Sequence, residues 1–156
     1  PNPLIQKEFS RIMSLKDGLK KMSKSEISDL SRINLTDTKD QIINKIKKAK
    51  TDTLPMPSDI KELDKRPEAK NLLGIYSSLS NSSLDISLKK FSGKNFSEFK
   101  ENLSQILIDK ITPISNEINK LLNDKSYLDK ILTDGCIRAG DIASKKIKKI
   151  HEIVGF

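Results

Sequence analysis

The sequence predicts a mainly α-helical chain, in which a small helical bundle follows a short strand and an exposed loop. Over most of the chain, aliphatic residues recur at intervals of three and four, the period of a helix with one buried face. Charged residues make up 32% of the 156 residues and hydrophobic residues 35%, which is typical of helices with narrow apolar stripes. Aromatic residues make up only 4%, so aliphatic side chains must form most of the core.

The predicted strand and loop lie near the start of the chain. Residues 11–15 (Arg-Ile-Met-Ser-Leu) favour a short strand. Asp17 and Gly18 follow, and this pair favours a tight turn because both residue types tolerate positive φ. Residues 19–25 are rich in Lys and Ser and have no apolar period, so we expect an exposed and mobile loop.

The first helices are predicted from caps and prolines. Asp37 is the expected N-cap of a helix whose buried stripe is Ile42, Ile43, Ile46 and Ala49. Residues 51–67 contain three prolines and predict a long connection. Pro67 suits the first turn of the next helix, where its missing N–H costs nothing. The Ser/Asn-rich run at 80–83 should end that helix.

Later helices are predicted in the same way. A short helix should end at Gly93, which suits a left-handed C-cap. Asn95 and Glu98 resemble a capping pair that opens a longer helix, and Pro113 predicts a kink or break in it near Ile111.

The last predicted helix covers residues 127–154, with an interruption near Asp134 and Gly135. Its apolar row is Ile131, Ala139, Ile142, Ile150 and Ile153. Cys136 has small and apolar neighbours, so we expect it to be buried. His151 lies near the last turn, where a helix-dipole partner is a better interpretation than a catalytic group.

Composition limits the class of protein. Lys and Arg number 29 against 21 Asp and Glu, and the net charge of +8 favours a polyanionic partner, although a general Lys bias would also produce it. A single cysteine excludes an internal disulfide and a thiolate metal cluster, and no metal site is predicted. This fits a reducing, cytoplasmic compartment. No stretch of the sequence approaches the roughly 20 apolar residues that are needed to cross a membrane, and no signal peptide is visible.

The candidate functional motif is a run of five residues in the predicted loop: Lys21, Met22, Ser23, Lys24 and Ser25. Two ammonium groups alternate with two hydroxyls and can form a flexible cradle for a polyphosphate. The ammonium groups would neutralise charge on a leaving pyrophosphate, and a mobile loop can close and open over a nucleotide. A solvated Lys/Ser run is the alternative, and five residues alone do not decide between them.

The flanking sequence resembles tryptophanyl-tRNA synthetases of bacterial type, which are class I aminoacyl-tRNA synthetases. Matching blocks lie at residues 12–18, 28–29, 31–37, 48–52, 66–69, 71–73 and 155–156, and the five-residue run matches the family's KMSKS loop. The resemblance covers nearly the whole chain and makes tryptophan the expected substrate. One departure is Glu26-Ile27, where the family usually has Asp-Pro, so we expect a looser exit from the loop.

The resemblance implies the C-terminal part of such an enzyme. Residues 1–34 would be the end of a Rossmann-type catalytic domain that carries the KMSKS loop. Residues 35–156 would be a helical anticodon-binding domain for tRNA(Trp), with the last helix packing back on the catalytic domain. The implied reaction is ATP-dependent ligation of tryptophan to tRNA through tryptophanyl-adenylate, with Mg²⁺ bound to ATP. The family also implies a homodimer.

The resemblance also implies a role for each loop residue. Lys21 and Lys24 would contact the ATP phosphates, with Lys24 as the transition-state stabiliser. Met22 would meet the nucleotide through its backbone, and Ser23 and Ser25 would support phosphate binding.

Other parts of such an enzyme are not expected here. The family's second ATP signature is a His-Ile-Gly-His type element, and His151 is the only histidine in this chain. We therefore expect a piece of a longer protein that cannot form the adenylate alone. A non-enzymatic basic helical module that binds RNA is the alternative, and a membrane-surface protein fits less well because apolar content is low. Two lysine runs, at residues 45–50 and 145–149, could meet phosphates, complement helix dipoles or form solvated faces.

Overall fold

The computed structural model describes Asn2 and residues 9–155. Within that range it contains a 3-10 helix at Asp29–Ser31 and six α-helices, and the mainly α-helical prediction is confirmed. The helices are α1 (Lys39–Lys47), α2 (Ile60–Asp64), α3 (Pro67–Leu79), α4 (Leu84–Phe91), α5 (Phe96–Asn123) and α6 (Lys125–Val154). The predicted strand forms only one antiparallel bridge, between Met13 and Lys21. Phe156, the end of the last matching block, lies outside the described residues.

The chain divides into two compact units, Pro1–Ser115 and Asn116–Phe156. The first unit contains the core, whose fully buried large side chains include Leu15, Ile42, Ile46, Leu63, Leu72, Leu73, Phe91, Phe99 and Leu103. Phe91 packs edge-on against both Tyr76 and Phe99, with ring centroids 4.9 Å apart in each pair. This geometry suits the ring quadrupoles, and it shows that the phenylalanines of α4 and α5 belong to the core.

Helix α1 begins one residue later than predicted. Thr38 is the N-cap, and it forms a reciprocal capping box with Gln41. The predicted cap, Asp37, is instead buried and accepts hydrogen bonds from the Lys45 ammonium at 2.7 and 2.9 Å. A tertiary ion pair therefore takes Asp37 away from the helix terminus. Ile43 was predicted to be buried but is 45% exposed, because α1 turns only its other apolar positions inward.

The connection between α1 and α3 is organised by Arg66. Its guanidinium donates to the Asp52 carboxylate at 2.8 Å, to the Pro55 carbonyl at 2.7 Å and to the Leu54 carbonyl at 3.1 Å. Partial burial opposes ionisation of Asp52, but the Arg66 guanidinium outweighs it and holds the pKa of that carboxyl below its ordinary value. The sequence prediction missed α2 in this connection and correctly placed Pro67 at the first position of α3.

The two long helices are more continuous than predicted. Pro113 lies inside α5, which does not break there. A proline removes one backbone hydrogen bond, and the turns on either side maintain the helix. Gly135 likewise does not interrupt α6, since a helical glycine costs only about 1 kcal/mol. Cys136 is exposed rather than buried, because no described residue of α6 is buried. Gly93 has a φ of 72° and confirms the predicted left-handed position.

Candidate functional site

The five-residue motif lies at one end of a backbone hairpin. Its two sides are joined by hydrogen bonds from Ser14 N to Lys20 O at 2.7 Å and from Met22 N to Ile12 O at 3.0 Å. The turn between them is closed by Asp17, whose carboxylate accepts from the Leu19 amide at 3.0 Å. The hairpin fixes the backbone of Lys21 and Met22, and the residues that follow, 23–27, are exposed to solvent.

The Asn71 side chain of α3 pairs with the backbone of Met13, as a neighbouring strand would. The Asn71 carboxamide accepts from the Met13 amide at 2.9 Å and donates to the Met13 carbonyl, also at 2.9 Å. Asn71 is 5% exposed, so these bonds form away from water, where a lost partner is costly. The hairpin is thereby attached to the core of the first unit.

The turn of the hairpin lies against the start of α3. A Cβ on Gly18 would approach the Pro67 carbonyl carbon and the Glu68 amide nitrogen to 2.6 Å. The φ of Gly18 is not positive, so glycine is required by this close approach rather than by the turn. Lys50 lies 2.8 Å from Glu68, and this hydrogen bond holds the pKa of the Glu68 carboxyl below its ordinary value.

Replacing Gly18 by Ala should lower stability by about 1–3 kcal/mol, the usual cost of forcing extra atoms into a packed region. Chemical denaturation of the purified chain measures this. Gly140→Ala is the matched control, because a Cβ at Gly140 in α6 meets nothing within 4 Å. That control should gain about 0.5–1 kcal/mol from helix propensity. Equal effects of the two substitutions would contradict the close approach at Gly18.

A pocket of about 210 Å³ lies beside the hairpin. It is lined by Ser14, Lys16, Asp17, Lys20, Lys21, Ser23, Glu26 and Ser31. Its three ammonium groups outnumber its two carboxylates, and its hydroxyls can donate hydrogen bonds, so the pocket suits an oxyanion. The Ser31 hydroxyl is buried and has no hydrogen-bond partner among the residues that the structure describes.

The predicted loop residues divide into two groups. Lys21 and Ser23 line the pocket, whereas Lys24 and Ser25 are exposed beyond it. The hydroxyls of Ser23 and Ser25 lie 2.9 Å apart. Met22 is half-buried and its side chain packs against the core, so it anchors the loop in addition to the backbone role that the resemblance implies. Neither loop lysine forms an ion pair with a described residue, so both ammonium groups are available to a ligand.

The lysine runs have different structural roles. Lys45 is buried between carboxylates, whereas Lys47 and Lys48 are exposed. Lys100 donates to the Ala49 carbonyl at 2.7 Å just beyond the C-terminus of α1, and burial lowers the pKa of this ammonium. The lysines at residues 145–149 are all exposed, in agreement with a solvated face.

Among described residues, no group of His, Cys, Asp and Glu could hold a metal ion. No described helix is long and apolar enough to span a membrane.

Comparison with known proteins decides the family. The family model described as "tRNA synthetases class I (W and Y)" matches residues 1–112. The chain belongs to this family. The five-residue motif that resembles the family's KMSKS loop lies within the matched residues, on the hairpin.

Curated relatives from this synthetase family confirm the resemblance to tryptophanyl-tRNA synthetases. The chain is 51% identical over 156 residues to the tryptophan–tRNA ligase of Rickettsia felis, covering all of this chain and 47% of the relative. It is 49% identical over 154 residues to that of Agrobacterium fabrum, covering 99% and 44%. For the Mesorhizobium japonicum enzyme the identity is 48% over 153 residues, covering 98% and 43%. The chain thus spans less than half the length of these relatives.

Solved structures share the fold. A tryptophanyl-tRNA synthetase from Campylobacter jejuni, in complex with ADP and tryptophan, superposes with a TM-score of 0.75 at 24% identity. The match covers 97% of this chain and 45% of that one. The Mycoplasma pneumoniae synthetase gives a TM-score of 0.69 at 25% identity, with the same coverage of both chains. The chain therefore shares the fold of the matched part of these synthetases.

The residues that support the loop of this synthetase chain are not evident from the sequence. Asn71 was noted only as part of a matching block, although a polar residue on an otherwise apolar helix face is a signal for a buried contact. Arg32 and Lys45 were likewise not assigned to the site. The contacts of these residues are made through the folded chain rather than along the sequence, so periodicity could not reveal them.

Proposed function

We propose that this chain is the C-terminal part of an enzyme that ligates tryptophan to tRNA(Trp) in the cytoplasm. The observation that carries the proposal is a KMSKS loop beside a lysine-rich pocket, in a chain whose relatives are tryptophan–tRNA ligases about twice as long. Residues 1–34 would close the nucleotide-binding catalytic domain, and residues 35–156 would bind the tRNA. The last helix would pack against the catalytic domain, in an enzyme that acts as a homodimer.

The proposed reaction has two steps. An oxygen of the tryptophan carboxylate attacks the α-phosphorus of ATP, the bond to the β-phosphate breaks, and pyrophosphate leaves with the electron pair. A hydroxyl of the terminal adenosine of the tRNA then attacks the activated carbonyl, releases AMP and loses its proton. Charge accumulates on the pyrophosphate oxygens in the first step, and this is where cationic side chains lower the barrier.

The loop residues are suited to that first step. Lys21 and Ser23 border the pocket, so their ammonium and hydroxyl groups would bind phosphate oxygens. Lys24 is exposed beyond the pocket, and it would reach the pyrophosphate when the loop closes over ATP. Ser25 would add a hydroxyl, and the Met22 backbone would meet the nucleotide. These groups are cations and hydrogen-bond donors, which suit phosphate rather than a metal ion, so Mg²⁺ would arrive with ATP.

Tryptophan-dependent exchange of pyrophosphate into ATP tests the proposal. We expect exchange by the complete enzyme with tryptophan, little with tyrosine, and none by the isolated 156-residue chain. Exchange by the isolated chain would contradict the division of the active site between two halves. Failure of the complete enzyme to exchange with tryptophan would overturn the function.

Binding of tRNA by the isolated chain is a separate measurement. Affinity for tRNA(Trp) should fall steeply with salt because lysines would neutralise phosphates. A tRNA with a scrambled anticodon is the matched control and should bind more weakly. Equal affinity for both, together with no exchange by the complete enzyme, would favour a non-enzymatic RNA-binding module.

A further inference from the structure

The exit of the KMSKS loop is held by one side chain, Arg32. Its Nη1 donates to the Glu26 carbonyl at 2.8 Å, and its Nε donates to the Asn34 side-chain oxygen at 3.2 Å. Its Nη2 lies 3.1 Å from the Asp29 carboxylate. A planar guanidinium can make these three contacts at once because its donors form a rigid fork. Arg32 thus joins the first residue after the loop to the segment that precedes α1.

This contact is itself anchored to α1. The Lys45 ammonium lies 2.7 Å from the Asp29 carboxylate, and the Asn34 amide donates to the same carboxylate at 2.9 Å. The Lys45 ammonium, with help from Asn34, keeps the pKa of Asp29 below its ordinary value, so this carboxylate stays charged beside Arg32. Lys45 is buried in α1 and is held on its other side by Asp37. A chain of alternating charges therefore runs from a rigid helix to the loop.

The two ends of the loop are held differently. The entrance is fixed by the backbone bridge between Met13 and Lys21. At the exit, the Ile27 side chain is fully exposed and supplies no packing. Glu26 lines the same pocket as Lys21 and Ser23, so the position of its backbone determines where that wall of the pocket lies.

We propose that Arg32 is a positioning residue for the ATP step: it fixes the loop exit at Glu26 so that the loop lysines face the phosphates. This inference rests on the proposed function. Arg32 acts through the loop rather than on substrate, so it should influence the turnover rate more than the binding of tryptophan. Displacing the loop lysines from the phosphates in this way would slow the reaction by up to roughly 100-fold.

Two variants and two measurements test the proposal. The first measurement is trypsin cleavage after Lys21 and Lys24 in the 156-residue chain, timed against cleavage at the exposed lysines 145–149 as an internal reference. The second is tryptophan-dependent ATP–pyrophosphate exchange by the complete enzyme. Arg32→Ala removes all three contacts, whereas Arg32→Lys keeps the charge beside Asp29 and loses the fork. Arg138→Ala, an exposed arginine on α6, and Leu88→Ala, a core truncation in α4, are the controls.

We expect Arg32→Ala to speed loop cleavage several-fold and to lower the kcat of exchange by about tenfold, within the range for a misplaced catalytic group. The KM for tryptophan should not change, and Arg32→Lys should lie between the Ala variant and wild type. If the Ala variant does not fold, the Lys variant provides the same comparison.

Unchanged loop cleavage and unchanged kcat in the Arg32 variants would overturn the proposal. A loss of kcat in Leu88→Ala as large as that in Arg32→Ala would also overturn it, because lost stability alone would then explain the effect. If the wild-type complete enzyme shows no exchange, the proposed function fails. The cleavage comparison then still decides whether Arg32 holds the loop.

Discussion

Replacing Lys24 by Ala in the complete enzyme should slow tryptophanyl-adenylate formation by about 10²–10³-fold. The Lys24 side chain is exposed and forms no ion pair with a described residue, so its loss should remove the proposed charge stabiliser without disturbing packing. Removing one such group from a transition state typically costs about 2.7–4 kcal/mol. Pre-steady-state adenylate formation measures the effect directly, at saturating tryptophan and ATP.

Two further variants make the Lys24 result specific. Lys24→Arg keeps the positive charge and should recover part of the rate. Lys61→Ala removes an exposed lysine of α2, outside the pocket, and should leave the rate unchanged. If Lys24→Ala forms the adenylate at the wild-type rate, Lys24 has no role in the transition state.

The second large effect concerns stability. Replacing Lys45 by Ala leaves the Asp37 carboxylate, whose side chain is 4% exposed, without its cation. Breaking a buried ion pair from one side costs about 3–5 kcal/mol, because the remaining charge is unpaired and poorly hydrated. Lys47→Ala is the matched control on the same helix, and an exposed site of this kind changes stability by about 0.5 kcal/mol or less. Urea denaturation of the 156-residue chain compares the two.

A double variant separates the charge effect from lost packing. Lys45→Met with Asp37→Asn removes both charges, while the Asn side-chain oxygen can still accept from the Asn34 amide that Asp37 now binds at 2.8 Å. Stability should partly recover relative to Lys45→Ala, since no unpaired charge remains. A double variant less stable than Lys45→Ala would mean that packing, not charge, determines the cost.

Local sequence signals predicted much of the fold. Pro67 and Gly93 were placed correctly because each depends on its own backbone geometry. The N-cap of α1 was misplaced because Asp37 and Thr38 are adjacent capping residues, and only the distant Lys45 decides between them. Of the predicted kink or break near Pro113, the break is absent, because helix cooperativity tolerates the loss of one hydrogen bond.

The candidate site was predicted in part. The motif at Lys21 was visible because its residue types match phosphate chemistry and its flanks match a family. Its supports were not visible, since the Asn71 contact joins residues 58 positions apart and the pocket combines the hairpin with Ser31. Such contacts depend on how the chain folds back on itself, and no residue spacing encodes them.

We expect the side-chain contact of Asn71 with the hairpin also to limit self-association. An extended segment with free backbone N–H and carbonyl groups can recruit a segment of another molecule by strand addition. At Met13 both groups are already bonded to one carboxamide, within the same chain. We therefore expect the hairpin to remain unpaired with other copies of the chain at high protein concentration, and Asn71→Leu to remove that protection.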